Sequence, residues 1–214
     1  FGAAARWAAE AFALDRAAEI GFFDSMVSAL AEGQLGAMFP TMLRRVHPTA
    51  TEEDVKALLK AYGRAEPVLD FFPDAARFLA GPLGAQIRGL ITDGHAKTQS
   101  KKVRALGLDQ RGWTIVYTGA LGPDRQFHKP HPRAFELIEA AHRDVTRFVY
   151  IGDNVSKDFI APRALGWTSV QVLREDLAAD AKRIHAAAAG PAPENGVPDF
   201  VVRSLDELSQ VLAS

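Results

Sequence analysis

Thr92, Lys129, Asp153 and Asp158 have the residue types and spacing to share one reaction. "YIGDNVSKDF" (150–159) runs an apolar strand into Gly152 and Asp153 and sets a second carboxylate, Asp158, five residues after the first. Upstream, "IRGLIT" ends on the hydroxyl of Thr92, with Asp93 and Gly94 next, and "HKPHP" puts Lys129 in a loop entering a helix. A hydroxyl beside backbone N–H groups at a helix start suits phosphate oxygens. A lysine neutralises a phosphoryl group and any carboxylate next to it. Two carboxylates beside phosphate form a hard, oxygen-only site suited to Mg²⁺. Together they describe phosphoryl transfer, in which positioning and charge stabilisation carry most of the catalysis. Each residue alone has a plainer role: Thr92 could cap a helix, Lys129 could be solvated, and Asp153 and Asp158 could charge a helix N-terminus. His95, His128 and His131 lie near these loops without metal-ligand spacing, and read as surface or substrate-rim residues.

The elements that must position these groups follow from periodicity. Residues 1–70 read as helical throughout: "FGAAARWAAEAFAL" spaces Phe1, Ala5, Ala8 and Phe12 at helical intervals, and "FFDSMVSALAEGQ" does the same to a stop near Gly33. "TATEEDVKALLKAYGRA" opens on a capping signal at Thr51, with Glu52, Glu53 and Asp54 in the first turn. After "FFPDAARFLAGPLG" the grammar changes. Strands at 87–92, 113–119, 147–153 and 168–173 alternate with helical segments, and "DFVVRSLDELSQVLA" adds a last strand and helix. That alternation predicts an α/β fold, a doubly wound parallel sheet, over residues 71–214, with an all-helical module before it at 1–70. Ligands of such sheets bind at the carboxyl ends of the strands, where Thr92 and Asp153 lie. "AAAAGPAPENGVP" reads as a flexible surface loop, and there is no internal repeat.

Composition narrows the class. The formal charge of the 214 residues is −1, with no basic footprint for nucleic acid or an anionic membrane, and no apolar run reaches a membrane span. There is no cysteine, which rules out disulfides and thiolate metal sites and fits the cytoplasm.

At this point the residues resemble a known family. "GLITDGHAKTQSKKVRALGL", "HKPHPRAFELI" and "YIGDNVSKDFIAPRALGW" are similar to the second, third and fourth motifs of the haloacid dehalogenase superfamily, the fourth in its G-D-x-x-x-x-D form. The resemblance covers residues 70–214, and residues 1–70 are similar to the family's inserted helical cap. It implies a Rossmannoid core and a Mg²⁺-dependent phosphatase acting on a small phosphorylated metabolite. Thr92, with the Asp93 and Gly94 backbone, would bind the phosphoryl group. Lys129 would hold that group against the nucleophile. Asp153 would bind Mg²⁺, and Asp158 would support the metal, the lysine or both.

The sequence departs from the family at one place. Members open with a strand ending in D-x-D-x-T, whose first Asp attacks phosphorus and whose second is general acid and base. Asp24 in "FFDSMVSAL" is followed by Met26 and lies in a helical pattern, so it does not fill that role. The chain begins at Phe1 rather than Met. Either the sequence starts just past the motif, or the protein has lost its nucleophile and binds without turnover. Loss of a central strand would strand backbone groups and apolar faces on its neighbours, which favours the first. Carbon–halogen hydrolysis, which needs no Mg²⁺, is the alternative within enzymes. A nucleotide-binding Rossmann module lacks its G-x-G-x-x-G.

Overall fold

Thr51 and Asp54 show how directly local chemistry sets the first elements. The Thr51 hydroxyl accepts the Asp54 N–H while the Asp54 carboxylate accepts the Thr51 N–H, a reciprocal capping box. The computed structural model describes residues 1–32, 38–174, 177, 191 and 193–212. These divide into two compact units, one built on Phe1–Glu66 and one on residues 67–174 and 193–212.

Among its described residues the first unit contains four helices: α1 (Gly2–Phe12), α2 (Arg16–Ala31), α3 (Met38–Val46) and α4 (Glu52–Arg64). No strand occurs among its described residues. Ala4, Ala5 and Ala8 bury one face of α1, while Phe22 and Met26, one turn apart on α2, meet Met42, Leu43 and Leu58 in a single cluster. Asp24 sits within α2, as its periodicity predicts. That helix ends at Ala31; the stop expected near Gly33 falls outside the described residues.

The second unit alternates helix and strand. It runs α5 (Pro73–Ala80), β1 (Gly89–Thr92), α6 (Ala96–Ala105), β2 (Thr114–Tyr117), α7 (Arg133–Ala141), β3 (Val149–Gly152), α8 (Ile160–Ala164), β4 (Thr168–Val172) and β5 (Phe200–Val202). A short helix, Leu208–Leu212, closes it. The strands are shorter than their apolar runs, because the outer residues of each run turn into loops. Of the expected loop at 186–198, residues 186–190 and 192 lie outside the described set, and Glu194–Gly196 form a 3₁₀ turn.

Among the described residues all pairing is parallel, but the strands do not form one sheet. β1 pairs with β2, and β3, β4 and β5 form a separate trio in that order. Every residue of β1 and of β3 is half-buried, whereas β4 is buried from Ser169 to Val172. Among the described residues β1 and β3 therefore each carry one unpaired edge. Two cores pack the strands, and one of them is shared by both sheets. Phe135, Ile138, Val116 and Trp167 pack with Ile91 and Tyr150, while Val170, Val172 and Val202 pack with Val149 and Ile151. Alternation along β3 thus sends Tyr150 to one core and its neighbours to the other.

Candidate active site

The carboxyl ends of β1 and β3 carry the residues singled out above. Gly152 ends β3, and the chain turns so that the Asp158 carboxylate folds back over it: Oδ2 accepts the N–H groups of Asp153 (3.1 Å) and Asn154 (3.0 Å). A Cβ on Gly152 would lie 2.7 Å from that Oδ2, so the fold-back requires glycine here. Asp158 Oδ1 is buried and lies 2.9 Å from Lys129 Nζ, an ion pair made without an aligned hydrogen bond. Asp158 is 1 % exposed, and α8 starts at Ile160 with no side-chain cap, so this acid serves the lysine and the loop rather than a helix end. Asp153 is exposed, and its carbonyl accepts Gln171 Nε2 from β4 at 3.2 Å.

Lys129 is nearly enclosed. Its ammonium donates to the Tyr150 hydroxyl (3.1 Å), pairs with Asp158 and stands 4.0 Å from Asp93. Burial alone would lower its pKa, but Tyr150, Asp158 and Asp93 outweigh it and raise the value well above that of an ordinary lysine. Burial pushes the Tyr150 hydroxyl up too, so it is neutral at physiological pH and accepts the lysine proton donor.

Asp93 is the hub on the other side. Its Oδ1 accepts the Thr118 hydroxyl (2.9 Å) and the Lys129 N–H (3.1 Å), and its Oδ2 accepts Lys157 Nζ (3.0 Å). Burial acts to raise its pKa, but Lys129 and Lys157 reverse that and hold the carboxyl below the usual range. Thr92 does not cap α6; its hydroxyl donates to Gln99 Oε1 at 3.1 Å. Gly94 and Gly119 touch closely enough that a Cβ on Gly119 would collide with the Gly94 carbonyl oxygen. Thr92 ends β1 and Asp93 and Gly94 follow it, Lys129 lies in the loop between β2 and α7, and Asp153 and Asp158 follow β3, with Lys129, Asp93 and Asp158 in one ion-pair network. His95 and His128 stand on an adjacent wall, and His131 stacks edge-on against Phe127.

Sequence reasoning did not single out Lys157, Tyr150, Thr118 or Gln171. Thr118 had a legible signal, since it follows β2 as Thr92 ends β1. Lys157 had none, because a lysine in a polar loop is ordinarily solvated.

The charges bear on which ion fits. Lys129 and Lys157 pair with Asp93 and Asp158, and Asp153 is an exposed carboxylate beside them. A divalent cation held at Asp153 would supply positive charge to an incoming oxyanion. The donor set is oxygen only, as Mg²⁺ prefers. Among the described residues no cluster of three or more His, Cys, Asp or Glu forms a self-sufficient metal site. Mg²⁺ typically takes one or two carboxylates with water and phosphate oxygens, so this does not conflict.

The fold and these motifs define a class, and comparison identifies it. The chain belongs to the haloacid dehalogenase-like hydrolases, whose family model matches residues 3–166. A second model, HAD-hydrolase-like, matches residues 126–208. Among solved structures it is similar to the putative HAD-hydrolase YfnB from Bacillus subtilis bound to magnesium, at 18% identity over 99% of this chain and 90% of that one, TM-score 0.64. It is also similar to a putative β-phosphoglucomutase from Thermotoga maritima (16%, 98% and 89%, TM-score 0.59). A third is the L-2-haloacid dehalogenase from Xanthobacter autotrophicus (20%, 100% and 93%, TM-score 0.55). At these identities the likeness is one of fold. No curated protein matches the sequence. Among the described residues no helix is long and apolar enough to cross a membrane.

Proposed function

We propose that this chain is the cap and most of the core of a Mg²⁺-dependent phosphatase acting on a small phosphorylated metabolite. The observation that carries this reading is Lys129, an enclosed ammonium between Asp158 and Asp93 at the carboxyl ends of two strands that each have an open edge. A parallel strand between β1 and β3 would satisfy both edges and deliver a carboxylate to that ammonium. Residues 1–70 serve as the cap.

In this reading the strand's first Asp attacks phosphorus, and the ester oxygen leaves with a proton from its second Asp. Water then hydrolyses the aspartyl-phosphate. Thr92 and the Asp93 and Gly94 N–H groups bind phosphoryl oxygens. Lys129 holds the phosphoryl group to the nucleophile, Asp158 fixes Lys129, and Asp93 fixes Lys129 and Lys157 together. Mg²⁺ held at Asp153 supplies the positive charge that the phosphoryl group needs.

The test is p-nitrophenyl phosphate turnover by the protein with a D-x-D-x-T strand in place. Asp153→Ala should abolish metal-dependent turnover, and unchanged turnover would overturn the metal assignment. Hydrolysis of 2-chloropropionate in chelator would favour carbon–halogen chemistry. Metal and phosphate binding without any turnover would favour a binding protein.

A further inference from the structure

A cavity of about 510 Å³ opens from the phosphoryl position, and the rest of its lining has no part in the reaction described above. Asp93 and Gly94 form its inner end. Gly119 and Gly122 line it with bare backbone, and His95, Asp124, Arg125 and His128 line the rest. It lies wholly within the α/β unit. Among the described residues, neither Arg125 nor either imidazole has a side-chain partner. With Lys129 and Lys157 already paired to carboxylates, this leaves a guanidinium and two imidazoles around one space next to the phosphoryl position.

The backbone singles out the same stretch. Asp124 and Arg125 are consecutive non-glycine residues in the left-handed region, at φ 51° and 60°. L-residues avoid that conformation, and such outliers concentrate where a side chain must be aimed. The loop is held by successive turns, with Gln126 N–H donating to the Pro123 carbonyl, His128 N–H to Arg125 and His131 N–H to His128. Arg125 is therefore presented on an ordered loop.

We infer that this cavity binds a second anionic group of the substrate, a carboxylate or another phosphate, with Arg125 as the main contact and His95 and His128 beside it. The inference rests on the phosphatase reading, which puts the transferring phosphoryl group at Asp93 and Gly94. Planar guanidinium suits either oxyanion by paired hydrogen bonds. Asp124 on the same rim opposes the anion, so its charge limits the affinity.

Calorimetric titration of this chain with two probe pairs tests it: glycerol 3-phosphate against 3-phosphoglycerate, and fructose 6-phosphate against fructose 1,6-bisphosphate. The doubly anionic member of at least one pair should bind about tenfold tighter, as a charge-assisted contact provides. Which pair shows it distinguishes carboxylate from phosphate. Arg125→Ala should erase the ratio, and Asp124→Asn should raise it. Equal affinities within both pairs, a ratio that survives Arg125→Ala, or no binding of any probe overturns the inference. Lys129→Ala should weaken all four probes equally. If it weakens none while the Arg125-dependent ratio persists, the phosphoryl site is misassigned and the anion pocket stands.

Discussion

The two units close their helices differently. In the helical unit, Asp15 accepts the Ala18 N–H at the start of α2 (2.8 Å), and Thr51 and Asp54 cap α4 reciprocally. In the α/β unit the residues that precede α5, α6, α7 and α8 are Phe72, His95, Pro132 and Phe159, and none of these four makes a side-chain cap hydrogen bond. A helix start leaves N–H donors in need of acceptors. The helical unit supplies them from its own side chains at α2 and α4. The α/β unit supplies the His131 imidazole to the Arg133 N–H at the start of α7 (3.1 Å) and no side-chain cap at the start of α6, the helix that follows the Thr92 loop. The start of α6 is thus left open beside Asp93 and Gly94, where an anion is a natural acceptor.

The same contrast appears in the cores. The helical unit has one closed cluster. The α/β unit has two clusters and two sheets, held together at one end by ion pairs that cross from Asp93 to Lys157 and Lys129 and from Lys129 to Asp158. Charged groups there add to the joining that Ile91, Val116, Tyr150 and Trp167 make by apolar contact.

Removing that joint is the strongest way to probe the difference. Lys129→Met leaves Asp93 and Asp158 without their shared cation. Phosphate-ester turnover by the protein with its nucleophile strand should fall about a thousandfold, and the α/β unit should unfold at lower urea while the helical unit does not. A common shift of both units would show that the joint is not local to the site.

Away from the site, Asp74 on α5 sets a second comparison. It is buried, pairs with Arg174, and accepts the N–H groups of Leu205 (2.9 Å) and Ala75 (2.8 Å). Burial pushes its carboxyl up, but these partners outweigh that and hold it below the usual range. A carboxyl depressed in the folded state contributes stability above the unfolded value, near pH 4, and loses it as pH falls through the folded one. Asp74→Asn should cost about 3 kcal/mol at pH 7, and the gap from the unaltered protein should narrow as pH drops below about 4. Urea unfolding at pH 7 and pH 3.5 measures it, and a gap independent of pH would rule out the ion pair as its source.

The smallest effect belongs to the helical unit. Thr51→Ala should lower its stability by about 1 kcal/mol and leave phosphate-probe binding on the α/β unit unchanged. A loss of binding would mean that the two regions are not independent.

Much of this was legible from local pattern. The alternation of strand and helix, the helical start, the Thr51 cap and the helical setting of Asp24 are consequences of period and neighbouring residues, whereas α3 was not singled out. The positions of Asp153 and Thr92 at strand ends follow equally, since an apolar run ending in Gly-Asp or Thr-Asp has few other places to stop. The chemistry of Asp158 was half legible. Its spacing from Asp153 marked it as a site residue, but not that its two oxygens would be taken up by loop N–H groups and Lys129.

Sequence alone determined the element order, the parallel class of the sheet and the residue types delivered to its carboxyl edge, because each depends on interactions within a few residues. Tertiary structure decided the rest. Asp93 meets Lys157 across 64 residues of chain, and Lys129 meets Tyr150 across 21. The parted sheet with its two open edges, and the cavity that Arg125 faces, likewise follow from strand order. Strand pairing between distant segments decides which loops become neighbours, and no local period records that choice.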